Sequence, residues 1–288
     1  MDLRKIIAAL DFGPDTGKAL AYTEWLADMA GAGGAVRLLH VMDYALTPPA
    51  YLLPYIEEEE RQNRARLEPL AVRLIEKGVT VGCDVVLGRL VEAFDEYLSK
   101  RHADILVIGH KSHIFRLSSS ERLIRSLKQP MLVVKGAKSE GAVAGSVKIK
   151  KILCPIDFSD CSAKALGWAQ YLSQETKSEL ILLHVLSDPY LQFSMQKGRD
   201  EKDQEKYLSE TTANAEERLA RLVGDMSGVQ RMIRRGDPCA TISEAGRDVD
   251  IDLIVMGARG SSLLRGLLLG GVSESVLRSS SCPVFIVH

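Results

Sequence analysis

Asp252-Leu-Ile-Val-Met-Gly257-Ala-Arg-Gly260, followed nine residues later by Gly270-Gly271-Val272-Ser273, is the stretch on which the reading of this chain turns. The apolar run before Gly257 is short, continuous and rich in branched side chains, the pattern of a strand buried on both faces of a parallel sheet. A short helical pattern (Val272, Val276, Leu277) follows the second pair of glycines and stops before Pro283. A strand, a glycine loop and a helix start together form a place where free backbone N–H groups and the helix dipole attract an anion. Glycines there leave no Cβ to hold a phosphate off the main chain. The spacing has no Gly-Lys-Ser/Thr and does not match the dinucleotide fingerprint, so phosphate binding and simple chain reversal both stay open at this point.

Working outward, the same stretch has an echo. Asp104-Ile-Leu-Val-Ile-Gly109 matches Asp252–Gly257, and Lys5-Ile-Ile-Ala-Ala-Leu-Asp11-Phe12 matches Lys151-Ile-Leu-Cys-Pro-Ile-Asp157-Phe158. Leu38-Leu-His-Val41 returns as Leu182-Leu-His-Val185, and Gln129-Pro-Met-Leu-Val-Val134 as Cys282-Pro-Val-Phe-Ile-Val287. These matches run in one order, so the chain is a tandem repeat, with expected domains at 1–137 and 148–288 joined by the small, glycine-containing segment 138–147.

Each copy alternates strand and helix patterns. Strands are expected near 4–10, 35–41, 79–86, 104–109 and 131–135, then 150–156, 179–186, 229–235, 252–257 and 283–287. Helices are expected near 16–30, 54–77, 89–101 and 119–128, then 160–175, 201–224, 238–248 and 271–280. Helical crossovers of this length imply two doubly wound α/β domains, each a parallel sheet with helices on both faces. Ser159 and Asp237-Pro238 read as helix starts. The last strand of each copy needs a neighbour if it lies at an edge, and the equivalent strand of the other copy would give an internal pseudo-dimer. The copies differ at the loop: Gly109 to Pro130 is 21 positions, Gly257 to Pro283 is 26, and the first copy carries no second or third glycine.

Composition narrows the functional classes. A formal net charge of −1 over 288 residues, without a basic block, disfavours nucleic acid as a partner. Five scattered cysteines without a Cys-x-x-Cys pair suggest reduced thiols, and no run approaches a membrane span. The expectation is a soluble, cytoplasmic protein with no membrane partner.

Gly257-x2-Gly260-x9-Gly270, the strand ending Pro155-Ile-Asp157-Phe-Ser159, and Cys282-Pro-Val-Phe-Ile-Val287 together resemble the universal stress protein family, over nearly the whole chain. The resemblance implies a five-stranded parallel sheet of order 3-2-1-4-5 in each domain, and a stress-response regulatory role. One branch of the family binds ATP or related adenine nucleotides, and another does not. Carried over, Pro155, Ile156 and Asp157 would border adenosine, Val185 would pack on adenine, and Met256 would lie beside base or ribose. Gly257, Gly260, Gly270, Gly271, Val272 and Ser273 would cradle phosphates. The ligand would be ATP, ADP or AMP, with Mg²⁺ accompanying ATP. One departure stands out: Gly271 occupies the place where the binding branch has Ser or Thr, and Ser273, Ser261, Ser262 or Arg259 would have to supply the missing donor.

Other residues carry blander readings. Asp157 could contact ribose or a metal-bound phosphate, or simply cap the next helix, as Asp11 would in the first copy. His40 and His184 sit in apolar runs and read as core histidines. His110-x2-His113 lacks companion ligands and reads as an exposed loop, and Lys111, Arg116 and Arg122 offer a second anion site at most. Leu263, Leu264, Leu267, Leu268 and Leu269 would cover the other copy or another chain, including a homodimer partner or an unidentified protein partner. No catalytic or metal-ligating set is expected. A slow ATP hydrolase and a scaffold without nucleotide are the alternatives.

Overall fold

A computed structural model describes residues 3–44, 50–110, 119–135, 139, 142–143, 145–187, 201–224, 226–260 and 269–288. Several candidates from the sequence lie outside these residues: Ser261, Ser262, Leu263, Leu264, Leu267, Leu268, Lys111, His113, Arg116 and part of the joining segment. The first half runs β1 (Lys5–Ala9), α1 (Thr16–Ala30), β2 (Ala35–Asp43), α2 (Leu53–Glu76), β3 (Thr80–Gly88), α3 (Leu90–Arg101), β4 (Ile105–Gly109), α4 (Ser119–Ser126), β5 (Met131–Val134). The second runs β6 (Lys151–Pro155), α5 (Asp160–Thr176), β7 (Glu179–Leu186), α6 (Glu201–Val223), β8 (Val229–Arg235), α7 (Pro238–Asp248), β9 (Leu253–Gly257), α8 (Gly271–Ser279), β10 (Val284–Val287).

These strands form one ten-stranded sheet of order β3-β2-β1-β4-β5-β10-β9-β6-β7-β8. Each half is therefore a parallel sheet of order 3-2-1-4-5, and the halves meet where β5 and β10 run antiparallel. There Val133 faces Val284, Leu132 faces Phe285 and Met131 faces Ile286. Alternation along the central strands sends their side chains to two cores. Leu132, Val134, Phe285 and Val287 join the core under α1, α2, α5 and α6. Met131, Val133, Val284 and Ile286 join the core under α3, α4, α7 and α8. Runs of β-branched residues buried on both faces need helices on both sides, which the crossovers supply.

Helix starts follow the cap signals. Ser159 Oγ accepts from the Ser162 N–H at 3.2 Å, and Asp237 Oδ1 accepts from the Ala240 N–H at 2.9 Å ahead of Pro238.

The seam carries charge as well as apolar contact. Across it Arg125 of α4 pairs with Glu274 of α8 at 2.5 Å, and Arg278 of α8 lies 3.8 Å from Glu121 of α4. Lys135, just beyond β5, donates to the carbonyls of Leu277 and Arg278, the latter at 2.9 Å.

His110 departs from the exposed-loop reading. It is 6% exposed, its Nδ1 lies 2.7 Å from Ser120 Oγ, and its Nε2 is buried without a hydrogen-bond partner among the described residues. His110 continues β4 beneath α4, so the first residue after Gly109 turns inward.

Burial first, then the Lys135 and Arg278 cations, push the His110 pKa down to about 4, against the opposing pull of Glu121 and Asp15. The unfolded chain takes up this proton near pH 6.5 and the folded chain only near 4, so the contribution is intact above 6.5 and is lost as pH falls toward 4. The thermal midpoint should fall by about 5 °C over that window, and His110→Leu should flatten the slope in a pH series followed by circular dichroism.

Candidate functional site

The order of each half reverses between its first and fourth strands, and a ligand crevice is expected beyond the strand ends at that point. In the second half a cleft of about 780 Å³ opens there. Pro155, Ile156 and Asp157 at the end of β6, Val185 on β7, and Met256 and Gly257 on β9 form its floor. Arg259, Gly260, Gly270, Gly271, Val272 and Ser273 form one wall. The described residues carried over as nucleotide contacts from the sequence therefore all line this one cleft.

Close packing explains two of the glycines, Gly257 and Gly260. A Cβ on Gly257 would lie 2.9 Å from the backbone carbonyl carbon of Cys161, at the start of α5. One on Gly260 would lie 2.5 Å from Asp157 Oδ2. Gly270 caps α8: its N–H donates to the Ala258 carbonyl at 2.7 Å, and its carbonyl accepts from the Glu274 N–H at 2.9 Å. Gly271, Val272 and Ser273 precede the first intrahelical donor, so their amides find no acceptor within the helix, as at every helix start. Around Gly271 none of the described residues lies within 4 Å of the position a Cβ would take, and among them a larger side chain has room.

Two side chains have commitments the sequence did not display. The Ser273 hydroxyl donates to the Gly257 carbonyl at 2.8 Å and is buried, so it ties α8 to β9 and cannot replace the hydroxyl absent at Gly271. Only its amide is left for an anion. Asp157 Oδ1 accepts from both the N–H (3.1 Å) and the hydroxyl (2.6 Å) of Ser159, so this carboxylate orients the residue that caps α5. Arg259 stands exposed at the cleft wall and supplies positive charge.

Between Asp157 and Ser159 the chain takes an unusual turn. Phe158 has φ +63°, a left-handed conformation that costs a non-glycine residue about 1–2 kcal/mol. Its ring is held between the His184 imidazole (centroids 4.7 Å apart) and the Arg218 guanidinium (3.7 Å). His184 in turn places Nδ1 2.7 Å from the Ile156 carbonyl, which fits the core-histidine reading although the ring also borders the cleft. The first half repeats the arrangement with Phe12 (φ +57°), His40 and Arg66.

The remaining lining was not identified from the sequence. Leu208 and Thr211 come from α6, while Arg235 ends β8 and Gly236 follows it. Arg235 Nη2 binds the Leu208 carbonyl and Thr212 Oγ1, fastening α6 over the opening. The one signal available was Gly236, whose φ of +141° and lack of room beside Thr241 mark a special corner.

In the first half the corresponding region is bridged by charge. Asp43 accepts from the Leu90 N–H at 2.9 Å and pairs with Arg122 at 3.0 Å. Arg122, considered for a second anion site, is thus engaged by a carboxylate of its own domain. Among the described residues no cluster of His, Cys, Asp or Glu could hold a metal ion.

The profile of the universal stress protein family matches residues 2–135 and again 148–288. The chain belongs to the universal stress protein family. It is a tandem member. A universal stress protein of Methanocaldococcus jannaschii is 31% identical over 156 residues, covering 49% of this chain and 96% of its own. Universal stress protein YxiE of Bacillus subtilis is 36% identical over 154 residues, covering 48% and 98%. A universal stress protein from Archaeoglobus fulgidus superposes over 98% of this chain and 95% of its own with a TM-score of 0.69, at 22% identity, which establishes a shared fold. No helix among the described residues of this family member is long and apolar enough to cross a membrane.

Ser273→Ala should cost about 1–2 kcal/mol in urea unfolding, because it leaves the buried Gly257 carbonyl without its donor. Gly271→Ser, with open space around it, should leave the stability within about 0.5 kcal/mol of the parent.

Proposed function

We propose that the second domain binds an adenine nucleotide and that this stress-response protein is a regulator rather than a metabolic enzyme. The observation that carries the reading is the convergence, in one cleft, of Gly257 and Gly260, where a Cβ would meet Cys161 and Asp157, with a helix start that has three amides ahead of its first internal bond. Such a cradle fits phosphates, held mainly by main-chain donors, with Arg259 adding charge. The apolar floor of Ile156, Val185 and Met256 suits a flat base. ATP, ADP and AMP all fit the chemistry, and Mg²⁺ accompanying ATP would approach the Asp157 carboxylate, whose Oδ2 points to Gly260.

Occupancy would be read at the seam, since α8 begins at the cleft and ends against the first domain. On this reading the domains are 1–137 and 148–288, the first serving as a structural or partner-binding half, in a cytoplasmic protein that also forms homodimers. A scaffold without nucleotide is the second reading, favoured by Gly271 and by the engagement of the Ser273 hydroxyl, which together leave the start of α8 without a side-chain hydroxyl for a phosphate.

Calorimetric titration with ATP, ADP and AMP tests the proposal: binding at or below millimolar concentration is expected, and none would remove it. Gly270→Val should abolish binding by crowding the loop. Gly271→Ser should tighten binding by about tenfold, the lower end of what a hydrogen bond to a charged group contributes.

A further inference from the structure

We infer that Lys135, supplied by the first half of the chain, is a positioning residue for the phosphate site of the second half, holding α8 by its C-terminal carbonyls so that its opposite end stays aimed into the cleft. The inference rests on the nucleotide reading above and names the device that regulates it.

Helix α8 has nine residues, a little over two turns, and little internal strength of its own. Its first amides face the cleft. Its last carbonyls lack intrahelical donors, and Lys135 Nζ donates to two of them, those of Leu277 and Arg278. A cation at this end complements the helix dipole in the same sense as an anion at the other, so the two occupants reinforce one another through the helix. Lys135 is 8% exposed, and an ammonium is withdrawn from water only where something replaces its hydration. The groups facing it are these carbonyls, the Glu121 carboxylate, the Cys282 thiol and the His110 imidazole. Glu274 adds a lateral hold, accepting from Arg125 of the first half while also pairing with Arg278 at 3.1 Å.

Asymmetry between the halves argues that the cation serves the site. The residue matching Lys135 at the end of β10 is His288. Its imidazole is pushed down to about 4, by burial first and then by Arg259, Lys164 and Lys128, so it is neutral near pH 7. The charged residue therefore stands behind the helix that follows the glycine loop, and the neutral one holds the matching place after β10. Burial lowers Lys135 itself to about 8. It is charged at pH 7 and loses that charge as pH rises through 8, and affinity for phosphates should decline over the same interval. Linkage is reciprocal, so a bound phosphate tightens the seam by the factor by which the seam tightens the phosphate.

The experiment compares the full chain with Lys135→Met and, as a milder change, Arg125→Gln. ATP and adenosine titrations are run between about pH 7 and 9.5, spanning the Lys135 titration, and amide hydrogen exchange across Glu274–Ser279 is followed without nucleotide. Lys135→Met should weaken ATP about three- to tenfold at pH 7, leave adenosine unchanged, flatten the decline above pH 8 and speed exchange in α8. Arg125→Gln should shift ATP in the same direction by a smaller factor. Equal ATP affinity in Lys135→Met, or an equal loss for adenosine and ATP, would overturn the assignment, the second outcome indicating general loosening. If the parent protein binds no ATP, the nucleotide reading fails, and exchange alone decides the clamp: faster exchange in Lys135→Met upholds it and unchanged exchange removes it.

Discussion

The antiparallel pairing of Met131–Val134 with Val284–Val287 is the contact on which the rest of the molecule depends. Each half ends its parallel sheet in a short, wholly apolar strand, and an open edge of that kind recruits other chains. Pairing the two ends removes both edges at once and makes one continuous sheet from two domains. It also fixes where everything else can lie. Helices α4 and α8 are brought side by side over the seam, their Glu–Arg pairs cross between them, and the C-terminal end of α8 meets the first half.

Through that geometry the two halves have come to differ in role. The second keeps a cleft walled by glycines and a helix start capped by Gly270 without a side-chain hydrogen bond. The first has the same strands and the same corner before α1, but its opening is bridged by Asp43 and Arg122, and His110 fills the space after β4. A carboxylate already bonded to the Leu90 amide and a guanidinium occupies the kind of place an anionic ligand would take. What the first half touches most directly in its neighbour is the helix at the rim of that neighbour's cleft, through Lys135 and Arg125.

Much of this was legible in the residues. Strands and helices that repeat over two copies, with branched apolar runs and clear caps at Ser159 and Asp237, indicated the architecture and most element bounds to within a residue or two. The ends of the first and fourth strands, with Asp157 and Gly257, could be placed at a crevice from the fold class, whereas the places of Val185, Met256 and the later glycines were expected only from the resemblance to the universal stress protein family. What remained hidden were pairings between distant positions. Ser273 looked like a free hydroxyl, because nothing in its neighbourhood indicates that the Gly257 carbonyl lies beneath it. His110 looked exposed, because its burial depends on α4 folding back over β4. Arg235 and Thr211 gave no periodic signal, and Lys135 reads as an ordinary charged residue after a strand until the other half is docked against it.

The left-handed corner at Phe158 has a further meaning, since Phe12 adopts it too in the half without a glycine loop. A costly torsion kept in a half whose sequence has no glycine between Gly109 and Pro130 is not explained by ligand geometry. Its common factor is the ring clasped between a histidine from the second strand and an arginine from the second long helix. That clasp ties three chain segments at the point where the first strand gives way to its helix. The same knot thus closes both domains, and the glycine-walled cleft of the second is an addition built on a fastening that the fold already required.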